Sequence, residues 1–140
     1  RQVAEVMQKG LLVDNALVSS IFQDFLENHA GDKALIFDGF PRNLEQFKIF
    51  NRLMTDFNRE YWSILIEIPE SEAMTRALGR GRQDDNQAAL QKRFSEYHNH
   101  TAPVIQAMRE EGKLIEINGM QTIENIYQDI HQKIKSLIQL

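Results

Sequence analysis

Apolar positions along the chain follow two alternating patterns. Spacings of three and four residues, typical of amphipathic helices, occur over residues 1–9, 14–30, 44–57, 86–111 and from Thr122 onward. Short, nearly continuous apolar runs lie between them, at 35–37, 64–68 and 114–117. A run without a polar face predicts a strand covered on both sides, as in parallel sheets. Strands that alternate with helices predict an α/β fold with parallel pairing through right-handed crossovers.

The same pattern predicts the core and the helix breaks. The inward-facing residues of the second and third helices are predicted to be Leu17, Val18, Ile21, Phe22, Phe25 and Leu26, then Phe47, Phe50, Leu53 and Met54. A further helix is expected to start at Pro69–Glu72 and to be interrupted by Gly79 and Gly81. Because proline has no amide hydrogen, the long helix over 86–111 should bend or break before Pro103.

Composition limits the class of protein. The 140 residues, 42% of them hydrophobic, suit one compact domain with a single core. The chain has no cysteine, so disulfides and thiolate metal sites are excluded. A net charge of −4 argues against a general nucleic-acid binder, and no apolar run predicts a membrane span. The first residue is Arg, not Met, and we therefore expect an upstream segment in the natural protein.

A loop whose residues could bind a ligand follows the first apolar run. Asp38, Gly39, Phe40, Pro41 and Arg42 come directly after the strand predicted at 35–37. Ligands of open α/β sheets bind outside the carboxyl ends of strands, so an acid, a glycine and a guanidinium there indicate an anionic ligand, with a metal as an option. The alternative is a simple strand-to-helix turn in which Arg42 is solvated.

Positive charge is concentrated in a second stretch. From Arg76 to Arg93 five basic residues stand against two acidic ones, within a chain that is negative overall. Arginine offers a planar, permanently charged fork that suits phosphate oxygens, and glycines let a loop fold over a ligand. These features favour a polyphosphate ligand, with Asp84 and Asp85 orienting the guanidinium groups. A solvated charged loop between two helices is the alternative.

Several separated motifs resemble the adenylate kinases and related nucleoside monophosphate kinases. The segment 38–42, DGFPR, is similar to the family signature, and 9–13, KGLLV, is similar to the stretch that contacts the monophosphate base. The segments RQDD at 82–85, KRF at 92–94 and TAPVI at 101–105 resemble the region after the family's lid. The resemblance covers nearly the whole chain and implies a parallel-sheet, P-loop kinase-like, three-layer α/β fold.

The resemblance also implies roles for particular residues. Arg42 would hold the AMP phosphate, Gln46 would hydrogen-bond the adenine, and Asp38 would hold Mg²⁺ through water. Arg76 and Arg80 would hold the ATP phosphates. The whole AMP-binding set would be Leu11, Leu12, Val13, Val18, Gly39, Phe40, Pro41, Arg42, Gln46, Arg82 and Arg93. The catalytic set would be Arg76, Arg80, Arg82 and Arg93, and the ATP-binding set Arg76, Arg80 and Gln121.

The expected activity is reversible phosphoryl transfer from ATP to AMP, giving two ADP, by a cytoplasmic enzyme with Mg²⁺ that binds neither nucleic acid nor membranes. One domain over 1–140 is expected, in which 1–13 ends the monophosphate-binding region and 79–86 forms a reduced lid. The family's first strand and its P-loop have no counterpart in these residues, so the chain alone should be inactive, and the complete protein should be a monomer. A UMP/CMP kinase and a non-catalytic nucleotide-binding protein are the alternatives.

Overall fold

The computed structural model of the protein describes residues 15–29, 34–81 and 85–138. The helix predicted over 1–9, the apolar residues at 11–13 and the segment 82–84 lie outside these ranges. The described residues belong to two compact units, of which one ends at Glu60 and the other begins at Tyr61.

The described residues of the first unit form two amphipathic helices, α1 (Asn15–Asn28) and α2 (Leu44–Asp56). The predicted inward face of α2 is confirmed, since its apolar residues Phe47, Phe50, Leu53 and Met54 are all at most 5% exposed. Of the stripe predicted on α1, Phe22 and Leu26 are buried. The rest of the predicted stripe is wrong in part, since Leu17, Ile21 and Phe25 are exposed, Ile21 to 52%.

An aromatic cluster holds the loop between the two helices. The Phe22 ring centroid lies 4.8 Å from that of Phe37 and 4.9 Å from that of Phe40. Aromatic pairs at such separations stabilise a core beyond the area that they bury. Because Phe37 and Phe40 flank Asp38 and Gly39 in the sequence, their packing fixes the loop and leaves the two residues between them exposed.

The prediction of a buried strand over 35–37 is wrong for the described structure. No strand forms there, and Ile36 is 96% exposed. A strand needs a neighbour to pair its backbone N–H and C=O groups. Within the described part of the first unit, the regular elements are helices, and none of them supplies a ladder of backbone partners for this segment.

The second unit is built on two parallel strands, β1 (Ser63–Glu67) and β2 (Leu114–Asn118). Ile64 lies opposite Ile115 and Ile66 opposite Ile117, so the four isoleucines share one face of the sheet. The two on β2 are buried, whereas Ile64 and Ile66 are 42% and 49% exposed. The α/β class and the parallel pairing are therefore confirmed, but β1 lacks the predicted cover on both sides among the described residues.

Four α-helices accompany these strands: α3 (Glu70–Arg80), α4 (Gln87–Glu96), α5 (Ala102–Glu110) and α6 (Ile123–Ile138). Gly79 does not interrupt α3 as predicted, because the helix continues to Arg80 and ends at Gly81, where φ is 69°. None of the described helices is long and apolar enough to cross a bilayer.

A π-helical turn over Tyr97–Thr101 joins α4 to α5 directly before Pro103. The backbone N–H of Ala102 donates to the carbonyl of Tyr97, five residues earlier. A proline ring clashes with the carbonyl four residues before it in a regular helix, and the wider turn relieves that clash. The predicted break before Pro103 is confirmed.

Candidate functional site

In the first unit, Arg42 folds back over Gly39. Arg42 Nε donates to the Gly39 carbonyl at 2.7 Å, and Gly39 has a φ of 75°. A Cβ atom at Gly39 would lie 2.7 Å from Arg42 Nη2. The left-handed backbone favours glycine, and a side chain at position 39 would also displace the end of the flexible Arg42 side chain. Arg42 is exposed, and its guanidinium is held against the loop by the bond to Gly39.

Gln46 occupies a position that the sequence did not reveal. Its side chain is 5% exposed, its Oε1 accepts the Arg42 backbone N–H at 2.8 Å, and its Nε2 donates to Asn15 Oδ1 at 3.0 Å. Asn43 Oδ1 accepts the Gln46 backbone N–H at 2.9 Å. The reciprocal bonds form a variant of the capping box and fix the start of α2. Gln46 thus has a structural role in addition to any contact with a ligand.

In the second unit, Asp85 brings two predicted phosphate-binding arginines together. Arg80 Nε and Nη2 donate to its two carboxylate oxygens, both at 2.9 Å, and Arg93 Nη1 donates to Oδ1 at 3.1 Å. Arg80 ends α3 and Arg93 lies in the last turn of α4, so one carboxylate joins two helices. The predicted orienting role is observed for Asp85, while Asp84 lies outside the described residues.

The charge state of Asp85 follows from these contacts. The hydrogen bond from Arg80 lowers the pKa of the carboxyl below its usual value, and the charges of Arg80 and Arg93 and the bond from Arg93 act in the same direction. Burial of the side chain opposes this shift without reversing it. Asp85 is thus ionised at neutral pH and balances part of the positive charge.

Arg76 and Gln121 both contact the loop after β2. Arg76 Nη1 donates to the Gly119 carbonyl at 3.3 Å, and Arg76 Nε pairs with Glu72 at 2.7 Å. Gln121 Nε2 donates to the Asn118 carbonyl at 3.2 Å and to Asp129 Oδ2 at 2.8 Å. Two residues predicted to contact ATP, which are 45 positions apart, therefore meet the same loop.

An open cavity of about 530 Å³ lies at the carboxyl ends of β1 and β2. Glu67, Pro69, Asn118 and Met120 are among the residues that line it. Its position agrees with the rule that ligands of α/β sheets bind beyond the carboxyl ends of the strands. The described residues contain no group of three or more His, Cys, Asp or Glu side chains that could hold a metal ion directly.

The remaining predicted site residues lie in the first unit or outside the described residues. The first unit holds Val18, which is half-buried on α1, and the loop that contains Phe40 and Pro41. Leu11, Leu12, Val13 and Arg82 lie outside the described residues. Asn15, which donates to Glu45 and accepts from Gln46, was not predicted as a site residue, because nothing in the sequence shows which later residues it meets.

In this parallel α/β unit, arginines lie in the last turns of α3 and α4, and their guanidinium groups suit phosphate oxygens. The family model of the adenylate kinases matches residues 1–113. The chain is 37% identical over 131 residues to an adenylate kinase of Synechococcus sp. (strain RCC307), covering 93% of this chain and 71% of that protein. It is 34% identical over 136 residues to an adenylate kinase of Phocaeicola vulgatus, covering 94% and 72%.

A third relative, adenylate kinase 1 of Synechocystis sp., is 32% identical over 135 residues, which are 96% of this chain and 72% of that protein. The chain belongs to the adenylate kinase family. It is thus a member of a family of kinases that act on nucleoside monophosphates.

Proposed function

We propose that the natural protein containing this chain transfers a phosphate group from ATP to AMP and forms two ADP. The observation that carries the proposal is the pairing of Arg80 and Arg93 on Asp85, which presents two fixed guanidinium groups at the ends of adjacent helices. Phosphoryl transfer depends mainly on positioning and on neutralising charge. Arginines that are oriented before the nucleotides bind meet both needs.

The second unit would bind ATP. Arg76 and Arg80 hold its phosphates, and the loop of Gln121 contacts its base. Arg93, with Arg82, contacts both nucleotides at the point of transfer. Charge-assisted hydrogen bonds to phosphate contribute about 1.5–3 kcal/mol each, and the part that exists only in the transition state raises the rate.

The first unit would bind AMP. Arg42, which Gly39 allows to lie close to the backbone, holds the phosphate, and Gln46 hydrogen-bonds the adenine. Leu11, Leu12, Val13 and Val18 would line the base pocket.

Magnesium would enter with ATP. The exposed carboxylate of Asp38 fits a contact through water, because a single carboxylate with no cluster of acids around it among the described residues cannot replace the ion's hydration shell. When bound, Mg²⁺ supplies positive charge at the phosphates. Asp38 would hold the hydrated ion through its water ligands.

The test is Arg42→Ala in the natural protein, with Arg52→Ala as the matched control, because Arg52 is exposed on α2, the helix that follows the Arg42 loop. Loss of a charge-assisted contact of 1.5–3 kcal/mol should lower kcat/KM for AMP by about 10-fold to 150-fold. The KM for ATP and the thermal stability should change little. Values of kcat/KM for AMP within twofold of the parent would show that Arg42 does not hold the phosphate.

A further inference from the structure

Asn15, the first residue of α1, forms hydrogen bonds with residues at the start of α2. Its Oδ1 accepts from Asn43 Nδ2 and from Gln46 Nε2, both at 3.0 Å. Its Nδ2 donates to Glu45 Oε2 at 2.6 Å. These partners lie 28–31 residues away in the sequence, so the contacts are tertiary and join the two helices of the first unit.

The contacts give the Gln46 amide one orientation. Oε1 accepts the Arg42 N–H, and Nε2 donates to Asn15. If the Gln46 amide were reversed, its NH2 group would face the Arg42 backbone N–H, and its oxygen would face Asn15 Oδ1. Neither pair could form a hydrogen bond. Asn15 is oriented in turn by Glu45, whose carboxylate only accepts when ionised. The direction of the Gln46 amide therefore depends on a chain of hydrogen bonds that begins at Glu45.

A fixed amide distinguishes purines by the polarity of their edges. An amide has two N–H groups and two acceptor sites, and the contacts among described residues use one of each on Gln46. The remaining N–H and acceptor complement a 6-aminopurine, in which N1 accepts and the 6-amino group donates. A 6-oxopurine has the opposite arrangement, with N1–H donating and O6 accepting.

We infer that Asn15 is a positioning residue that sets the direction of the Gln46 amide and thereby the preference for AMP over a 6-oxopurine monophosphate such as IMP. The inference rests on the proposed function, in which Gln46 contacts the base. A free amide can rotate to match either edge. An amide held by Asn15 and Arg42 leaves the wrong base with mispaired polar groups, which lowers its affinity.

The experiment compares the natural protein with Asn15→Leu, which keeps the branched shape but has neither donor nor acceptor. Calorimetric titration with AMP and with IMP gives the ratio of the two affinities. The AMP preference should fall at least about fivefold in Asn15→Leu, the lower limit for one mispaired buried group. Asn15→Asp combined with Glu45→Gln keeps the acceptor oxygen for Gln46 and restores a donor between positions 45 and 15, so the double variant should retain the ratio of the parent.

Asn28→Leu, at the other end of α1, is the matched control, because Asn28 Nδ2 donates to the Asp24 carbonyl within its own helix. If Asn15→Leu does not fold, Asn15→Ser, whose oxygen is too short to reach Gln46, gives the same comparison. ¹⁵N relaxation of the Gln46 side-chain amide without nucleotide should show a rigid group in the parent and a mobile group in Asn15→Leu.

An equal loss of AMP and IMP affinity in Asn15→Leu, or a Gln46 amide that stays rigid there, would overturn the inference and leave the proposed function standing. A parent protein without preference for AMP over IMP would contradict the role of Gln46 in base binding, and with it both proposals.

Discussion

Gly119, directly after β2, is the position where one added methyl group should do the most damage to the second unit. Gly119 is buried. A Cβ atom added there would lie 2.6 Å from Ile68 Cγ2 and 2.9 Å from both Ile66 Cγ2 and the Glu67 carbonyl oxygen. The isoleucine side chains can shift, but the Glu67 carbonyl is held by β1 and accepts the Gly119 N–H at 2.7 Å. We therefore expect Gly119→Ala to separate the loop from the end of β1.

The loss of stability expected for Gly119→Ala is the sum of two free-energy costs. Overpacking of a well-filled site costs about 1–3 kcal/mol, and loss of one backbone hydrogen bond adds about 0.5–1.5 kcal/mol. The free energy of unfolding should fall by about 2–4 kcal/mol. With an m-value of about 2 kcal/mol/M, the urea midpoint should drop by about 1–2 M.

The assay is urea unfolding followed by the fluorescence of Trp62, the only tryptophan in the sequence, which precedes β1. Gly79→Ala is the matched control. A Cβ at Gly79 meets nothing within 4 Å among the described residues, and alanine is favoured over glycine inside a helix such as α3 by about 0.8–1 kcal/mol. Gly79→Ala should thus stabilise the protein. A Gly119→Ala midpoint within experimental error of the parent would refute the close contact at β1.

Two further changes test the ion pairs of Asp85 with Arg80 and Arg93, and the core of the first unit. Asp85→Asn should lower kcat roughly 10-fold to 100-fold, because Arg80 and Arg93 lose the negative charge between them and Arg80 Nε loses its acceptor Oδ2, which disturbs the geometry of both guanidinium groups. Because the folded state lowers the pKa of Asp85, its stabilising effect is complete above about pH 4 and is lost as the pH falls further, so urea midpoints of Asp85→Asn between pH 2 and 4 should depend less on pH. Equal pH slopes in parent and variant would contradict this. Leu26→Ala, at a side chain with 0% exposure, should cost about 2–5 kcal/mol by circular dichroism, whereas Ile21→Ala, at 52% exposure, should cost much less; equal costs would contradict the assigned core.

The sequence predicted those features that local pattern determines. Helix α2, the strands at 63–67 and 114–118 and the break before Pro103 follow from apolar spacing and proline geometry. The error at 35–37 has a different cause. Apolar content indicates a strand, but a strand also needs a paired neighbour, and Ile36 is 96% exposed in the described structure.

The candidate site was predicted as a set of residue types rather than as a geometry. A glycine before an arginine at 39–42 and an acid between arginines at 80–93 are visible in the sequence, and Asp85 was identified as an orienting group. The bonds from Asn15 to Gln46 and from Arg76 to Gly119 were not predictable, because they join residues 31 and 43 positions apart. Such pairs depend on how the elements pack.

The inactivity of these 140 residues on their own is an expectation that stays a prediction. These 140 residues contain no P-loop motif, and the anchor that a P-loop lysine and its backbone N–H groups give to ATP is central to phosphoryl transfer. We therefore expect a polypeptide of only these residues to be inactive. The cytoplasmic location and the monomeric state also stay predictions.

The most direct measurement is the formation of nucleoside diphosphates from ATP by the natural protein, with AMP, CMP and UMP offered separately as acceptors and Mg²⁺ present. We expect ADP as the product from AMP, with kcat/KM for AMP at least about tenfold above the values for CMP and UMP. We also expect no turnover by the 140-residue polypeptide under the same conditions. Transfer that favours CMP or UMP, or no transfer to any acceptor by the natural protein, would contradict the proposed function.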